Sequence, residues 1–106
     1  MKRPAAALAA FLLAAPALAQ EPKRSPVWES LCASCHGPDG SANTEEGKTK
    51  KARNLADARW QASVSDDRLA SSIRRGREEM PSFGRKLNEE QVKALVAEVR
   101  TLVTKK

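Results

Sequence analysis

Hydrophobic residues recur at helical spacing in two segments of the chain. In the first, Leu69, Ala70 and Ile73 lie one, three or four residues apart, which places them on one helix face. The second is a longer apolar stripe that runs almost to the end of the sequence and consists of Val92, Leu95, Val96, Val99 and Leu102. No segment shows the strict alternation that is typical of a strand. The pattern therefore predicts an all-helical domain.

Polar residues mark the ends of these two helices. Ser65 precedes two acidic residues and is a good N-cap, and Gly76 is placed to end the same helix. Asn88 with Gln91 three residues later is a capping-box pattern. The chain therefore carries a start signal for both helices and a stop signal for the first.

A shorter helix is predicted over residues 26–34, with Ser25 as N-cap and Pro26 at the first helical position. Residues 41–53 are polar and nearly free of apolar side chains, so we expect a surface loop there. Leu55 and Trp60 are isolated apolar anchors after that loop. The prediction is three to four short helices.

The beginning of the chain has the three parts of an export signal. Lys2 and Arg3 are positive, residues 5–15 form an apolar run, and small residues ending at Ala19 form an A-x-A cleavage site. The run is too short for a membrane-spanning helix and Pro16 interrupts it. We expect cleavage after Ala19, a periplasmic location and no stable membrane insertion.

This organisation divides the chain into a cleavable signal peptide over 1–19, a flexible lead-in over 20–25 and one folded domain over 26–106. The whole chain has 106 residues, and the folded domain is short enough that apolar burial alone gives marginal stability. A bound cofactor would add to its core. The net charge is +6, and loss of Lys2 and Arg3 with the signal makes it 6 − 2 = +4. Two ionised haem propionates would lower it to about +2, a mild excess that does not indicate nucleic-acid binding. We expect a monomer.

The main chemical signal is the segment Cys32-Ala-Ser-Cys35-His36. On a helix, residues three and four apart share one side, so both thiols and the imidazole can meet one planar ligand. Cys-x-x-Cys-His is the sequence signature of covalent haem c attachment. We therefore predict one haem c, with thioether bonds to Cys32 and Cys35 and with His36 as the proximal axial ligand of the iron.

Two other uses of these residues are weaker. A structural zinc site takes four Cys or His ligands, whereas the chain has three in total. A thioredoxin-like thiol pair sits in a βαβ setting, which the pattern does not predict. The remaining non-haem hypothesis is a thiol protein without covalent haem.

The numbers of His and Met residues in the chain also limit the choice of the sixth iron ligand. His36 is the only histidine, and Met80 is the only methionine once the signal is removed. Met80 follows the helix stop at Gly76, in a loop that can aim its sulfur. A methionine that fills a core gap is the alternative, but we predict Met80 as the distal axial ligand.

From about Pro26 to Leu102 the sequence resembles a small bacterial monohaem class I cytochrome c. The resemblance rests on the haem segment through Gly37, the Asp39-Gly40 turn, Asn54-Leu55, Ile73 with Gly76, Met80-Pro81 with Phe83, and the amphipathic last helix. It implies the class I cytochrome c fold, with helices wrapped round one covalently bound haem and crossed terminal helices, and it implies His36 and Met80 as axial ligands.

The sequence departs from that family at two places. Members often have Gly and an aromatic residue in the first helix that meet an aromatic residue in the last. Trp28 supplies one of these, but Arg24 and Glu98 occupy the other places, so the helix crossing is expected to pack differently. Arg53 stands where members tend to have a Pro whose backbone supports the proximal imidazole. The hydrogen-bond acceptor for the second nitrogen of His36 is therefore not assigned, and Pro38 is one candidate.

The expected function is one-electron transfer by a carrier that is not an enzyme. The alternatives are a haem-based ligand sensor or peroxidase-like enzyme with an open sixth site, and a haem subunit of a larger oxidoreductase. Trp60, Arg53 and Arg77 are candidate partners of the haem propionates. The expected partners are redox proteins with acidic docking surfaces, steered by a basic set: Lys48, Lys50, Lys51, Arg74, Arg75, Arg77, Arg85 and Lys86.

Overall fold

The computed structural model describes residues 23–104; the predicted signal peptide and residues 20–22 of the lead-in lie outside this range. Within it, a π-helical turn and five α-helices follow one another: Trp28–Cys32 (the π-turn), α1 Ala33–His36, α2 Glu45–Thr49, α3 Ala58–Ser63, α4 Asp66–Arg75 and α5 Glu89–Thr101. The only extended pairing among the described residues is an isolated bridge between Arg77 and Met80. The all-helical prediction is confirmed. None of the described helices is long and apolar enough to cross a bilayer.

The first helical segment begins at the predicted cap. Ser25 Oγ accepts a hydrogen bond from Trp28 N at 3.1 Å, and Ser25 O accepts one from Glu29 N at 3.0 Å. The π-turn then runs directly into α1, which ends at Gly37 with a φ of +82°. A wider turn of this kind often occurs at functional sites, and here it ends at Cys32.

The caps of the two long helices are also confirmed. Ser65 accepts from Arg68 N at 3.0 Å. Asn88 and Gln91 form the reciprocal capping box, with bonds of 2.8 and 2.9 Å. These bonds satisfy amide groups that a helix start leaves free.

One hydrophobic core joins the first segment to α4 and α5. Its buried members are Trp28, Leu55, Leu69, Ile73, Phe83, Leu87, Val92, Leu95, Val96, Val99 and Leu102. The whole apolar stripe predicted for α5 lies in this core. Trp28 and Val92 are each 1% exposed, so the first segment is anchored in the centre of the fold.

Polar groups hold the first segment to α5 at the helix crossing, where the sequence departs from the family. The Glu98 carboxylate accepts from Ser25 N at 2.8 Å and from Ser25 Oγ at 2.6 Å. Arg24 donates to Thr101 Oγ1 at 3.4 Å. A charged acceptor makes the Ser25 bonds stronger than neutral ones, and the terminal helices are therefore tied by hydrogen bonds as well as by apolar contact.

The expected surface loop over 41–53 contains a helix, so that prediction was incomplete. Thr44 caps α2 by accepting from Gly47 N at 2.8 Å, and its hydroxyl donates to Ser34 O at 2.7 Å. A Cβ on Gly47 would overlap Cys35 O. Helix α2 therefore packs directly against the backbone that carries the two cysteines.

A buried polar group connects the segment after α2 to α5. Gln61 is 6% exposed, and its side-chain amide donates to Leu55 O and to Val99 O at 2.7 Å each. The Arg100 guanidinium donates to Gln61 O at 2.7 Å and to Val64 O at 2.6 Å. These bonds fix the chain where it forms one side of the cavity described next.

Candidate functional site

A cavity of about 650 Å³, partly open to solvent, lies beside the core, and its volume is within the range of small-molecule and cofactor sites. The residues singled out from the sequence all line it: Cys32, Cys35, His36 and Met80. Apolar residues of α3 to α5, among them Leu69, Ile73 and Val99, form much of the remaining wall. The fold thus brings two thiols, an imidazole and a thioether to one space from segments far apart in the sequence.

One nitrogen of His36 is held by the backbone. His36 Nδ1 lies 3.0 Å from Arg53 O, and a carbonyl only accepts, so Nδ1 carries the proton and Nε2 keeps its lone pair. Burial lowers the pKa of His36, although the Arg53 contact opposes this. The acceptor left open by the sequence is therefore the carbonyl of Arg53 rather than a group of Pro38.

The two cysteines are not joined by a disulfide, and each is half-buried. Burial, with smaller contributions from Glu98 and Cys35, raises the pKa of Cys32 to about 11. A thiol-disulfide catalyst has a cysteine with a lowered pKa, so this environment disfavours the thioredoxin-like hypothesis. Among the described residues, no three His, Cys, Asp or Glu side chains are grouped to hold a metal ion.

Met80 is positioned by a tight turn. Arg77 and Met80 exchange two backbone hydrogen bonds of 3.0 and 2.8 Å, and Glu78 between them has a φ of +51°. Gly76, with a φ of +75°, leads into this turn, and a Cβ there would lie 2.5 Å from Met80 O. Only a residue without a side chain fits so close to the Met80 backbone.

The segment after Met80 is attached to the end of α4. Phe83 N donates to Ile73 O at 2.9 Å and Gly84 N donates to Arg74 O at 3.1 Å, which satisfies carbonyls that a helix end leaves free. Ser82 Oγ also donates to Arg74 O. The loop that carries Met80 is therefore bound on both sides of the methionine.

Cationic side chains line the cavity beside the apolar wall. The Arg53 guanidinium stacks on the Trp60 ring at 5.3 Å from its centre, and Arg77 lines the same cavity. These are the three residues proposed from the sequence as propionate partners. Arg68 also lines the cavity, but the sequence analysis did not propose it. Arg68 precedes the buried Leu69 on α4, and this position could have identified it.

Known proteins match this chain over most of its described length. The model of the family described as "Cytochrome C oxidase, cbb3-type, subunit III" matches residues 19–97. The chain is 33% identical over 81 residues to a Cbb3-type cytochrome c oxidase subunit FixP from Azorhizobium caulinodans, a match that covers 76% of this chain and 26% of that protein. The chain thus spans about a quarter of that relative's length.

Two solved structures share the architecture. A protein described as KustC0563 c-type cytochrome is 43% identical with a TM-score of 0.69, over 74% of this chain and 94% of that one. A point mutant of the same protein is 44% identical with a TM-score of 0.67, over 72% of this chain and 93% of that one. The class I fold expected from the sequence is confirmed by these likenesses.

Proposed function

The chain belongs to the cytochrome c family, as a small monohaem class I protein with one covalently bound haem c, and from this membership we propose that it is a periplasmic one-electron carrier whose haem iron is bound by His36 and Met80. Electron transfer itself follows from the family. The observation that carries the finer proposal is the shared cavity, which Cys32, Cys35, His36 and Met80 all line.

The residues of the cavity fit haem c in chemistry as well as in place. Cys32 and Cys35 supply the two thiols for the thioether bonds, and His36 presents Nε2 because Nδ1 is held by Arg53 O. A carbonyl acceptor on the second nitrogen fixes the ring and raises its basicity as a ligand. When bound, the haem supplies a reversible one-electron change at its iron, at a potential raised by methionine ligation.

Whether Met80 binds the iron distinguishes a carrier from an enzyme. A thioether bound at the sixth position leaves no site for a substrate or a diatomic ligand at the iron. The backbone bonds on both sides of Met80 hold it at the cavity and support this role. An open-site sensor or peroxidase-like enzyme uses the same proximal residues but needs Met80 away from the iron.

The cationic side of the cavity suits the haem propionates. Arg53 is stacked on Trp60, so its guanidinium is oriented before a carboxylate binds. Trp60 Nε1 donates to none of the described residues and is free to bind one. We assign Arg53, Trp60 and Arg77 to the propionates.

Membership of an oxidase-subunit family favours one further candidate, a haem domain that works inside a larger complex. The curated relative is an oxidase subunit, but this chain spans only about a quarter of it. The chain also matches 94% of a small c-type cytochrome, which favours an independent carrier.

The visible spectrum of the matured protein tests the proposal. We expect haem that resists acid-acetone extraction, and a reduced wild type that does not bind carbon monoxide quickly. Met80→Ala should open the sixth site and bind carbon monoxide fast, whereas Glu79→Ala, in the same turn, should behave as wild type. Fast binding by the wild type would favour the sensor or enzyme, and extractable haem would refute covalent attachment.

A further inference from the structure

Helix α2 is fixed against the backbone that carries Cys35 and His36. Thr44 Oγ1 lies 2.7 Å from Ser34 O and 3.1 Å from Cys35 O, so its one proton is shared between two carbonyls of that backbone. Gly47 N donates to the same hydroxyl at 2.8 Å, and a side chain at position 47 would overlap Cys35 O. The haem-binding segment therefore sets the position of α2.

The C-terminal end of α2 is closed by a cap whose central residue has a left-handed backbone. Ala52 N donates to Gly47 O at 2.8 Å, and Lys51 N donates to Lys48 O at 3.4 Å. This pair of bonds is the Schellman motif, in which the first residue after the helix cap has a positive φ and is usually glycine. Here that residue is Lys51, with a φ of +55°. The cap therefore holds a lysine in a conformation that glycine adopts at lower cost.

The cap leads the chain to the acceptor of the proximal imidazole. Arg53 comes two residues after Lys51, and its carbonyl lies 3.0 Å from His36 Nδ1. Lys51 and Arg53 both line the haem cavity. The contacts thus form a closed ring, which leaves the haem-binding segment at Cys35, passes through α2 and its cap, and returns at His36.

The bond between His36 Nδ1 and Arg53 O depends on where the carbonyl is held. The bond is exposed to solvent, so water competes for the imidazole proton whenever the carbonyl moves away. A fixed acceptor raises the basicity of the imidazole as a ligand, and a more basic ligand favours ferric over ferrous iron. The stability of the α2 cap therefore affects the proximal side of the haem.

We propose that the left-handed cap at Lys51 positions the Arg53 carbonyl against His36, so that Lys51 is a positioning residue for the proximal ligand and, through it, for the reduction potential. This inference rests on the proposed function, because it takes His36 as the iron ligand. Lys51 acts here through its backbone. A residue that accepts a positive φ keeps the bond closed, and a residue that resists a positive φ opens it.

Exchange of the His36 Nδ1 proton with solvent, followed by nuclear magnetic resonance in the reduced holoprotein, measures how often the bond opens. Lys51→Gly and Lys51→Val remove the same charge, but glycine accepts a φ of +55° and a β-branched residue does not. Relative to the wild type, we expect exchange about threefold slower in Lys51→Gly and about tenfold faster in Lys51→Val. The reduction potential of Lys51→Val should lie above that of Lys51→Gly, because its imidazole is less basic.

Lys50→Val is the matched control, since Lys50 lines the same cavity but has a φ of −90°. It should leave the exchange of the Nδ1 proton close to that of the wild type. Equal changes in Lys50→Val and Lys51→Val would overturn the proposal, because they would indicate an effect of charge or volume. Where Lys51→Val attaches no haem, Lys51→Gly decides, and exchange as fast as in the wild type overturns the proposal.

The chain is also held on the other side of Arg53, where Leu55 N donates to Gly40 O at 2.7 Å. Equal exchange in Lys51→Gly and Lys51→Val would overturn the role of the cap and assign the positioning to this second bond. The visible spectrum and carbon monoxide binding are measured on the same samples. Fast carbon monoxide binding by the wild type refutes the carrier function, whereas a closed sixth site with equal exchange in the two variants refutes the role of Lys51 alone.

Discussion

At the scale of single residues, Gly76 controls the position of Met80. Its φ of +75° and the 2.5 Å that would separate an added Cβ from Met80 O leave no room for a side chain, so Gly76→Ala must move the turn. We expect a loss of about 1–3 kcal/mol in the free energy of unfolding and an increased fraction of reduced protein that binds carbon monoxide. Denaturation and carbon monoxide titration measure the two effects.

Glu79→Ala is the control for Gly76, because it changes the same turn without a positive φ. It should leave both measurements close to those of the wild type. A Gly76→Ala protein that is destabilised but still closed to carbon monoxide would show that the turn does not set the ligation of Met80.

Asp39 makes the stability of the fold depend on pH. Asp39 Oδ1 accepts from Ser41 N at 3.0 Å and from Ser41 Oγ at 2.7 Å, and these bonds lower the pKa of Asp39. A carboxyl whose pKa is lower in the folded than in the unfolded state stabilises the fold at pH values above its unfolded pKa. This stabilisation is lost as the pH falls through the folded pKa. Asp39→Asn should therefore flatten the pH dependence of unfolding below about pH 4.

Urea denaturation of the holoprotein at pH 5 and at pH 3 measures this effect, which is small because Asp39 is exposed. Asp67→Asn, whose side chain accepts no hydrogen bond from the described residues, is the control. An equal change in the free energy of unfolding between pH 5 and pH 3 for wild type and Asp39→Asn would contradict the role given to Asp39.

Roles of single residues can be proposed from the sequence where the side chain itself carries the signal. Cys32, Cys35 and His36 could be proposed from their spacing, and Met80 from its being the one remaining soft ligand. The hydrogen-bond acceptor of His36 Nδ1 could not be proposed in this way, because it is the backbone carbonyl of Arg53 and every residue has such a carbonyl. Its place depends on the path of the chain after α2, which no local pattern specifies.

At the scale of elements, Gln61 joins α3 to α5 through buried hydrogen bonds. Gln61→Ala would leave Leu55 O and Val99 O without their 2.7 Å donors and would also create a cavity. We expect a loss of about 2–4 kcal/mol in the free energy of unfolding, measured by urea denaturation.

Gln61→Met separates the two contributions, since it keeps the volume and removes only the donors. It should recover part of the stability lost in Gln61→Ala. If the two variants are equally destabilised, the hydrogen bonds account for the whole effect; if Gln61→Met equals the wild type, they contribute nothing.

The elements that could be predicted are those with both an apolar stripe and a cap. Helices α4 and α5 meet this condition, and their caps at Ser65 and Asn88 are where the sequence places them. Helix α2 has a cap at Thr44 but no apolar stripe, because its contact with the first segment is the bare backbone of Gly47 against Cys35 O. Hydrophobic periodicity cannot detect a helix that packs in this way.

At the scale of the whole molecule, charge is distributed unevenly round the haem cavity. Arg68 and Arg77, from α4 and the turn after it, line the cavity, whereas the Glu46 carboxylate of α2 lies 3.7 Å from Cys35 Sγ. A net charge of +6 does not reveal this division, because it arises only when the fold places α4 beside the cavity and α2 beside Cys35. A charge count alone therefore supports a basic surface, whereas the direction from which a partner approaches requires the fold.

The cellular form of the protein provides the last prediction. Expressed with its own first residues in a bacterium that attaches haem c in the periplasm, the chain should be released by osmotic shock. Its N-terminal residue should be Gln20, because small residues at Ala17 and Ala19 fit the cleavage site. Sedimentation of the haem-loaded protein should show a monomer, as expected of a free carrier. Mass spectrometry should show one haem on the shortened chain.

Ala19→Arg places a bulky charge at the cleavage site and is the matched variant. It should keep the apolar run and remain with the membrane fraction, while its domain still carries haem. A wild type that begins at Met1 and stays with the membranes would refute cleavage after Ala19. A wild type that is cleaved but sediments only in a larger complex would instead favour the oxidase-subunit candidate, because the haem domain would then act as part of an assembly.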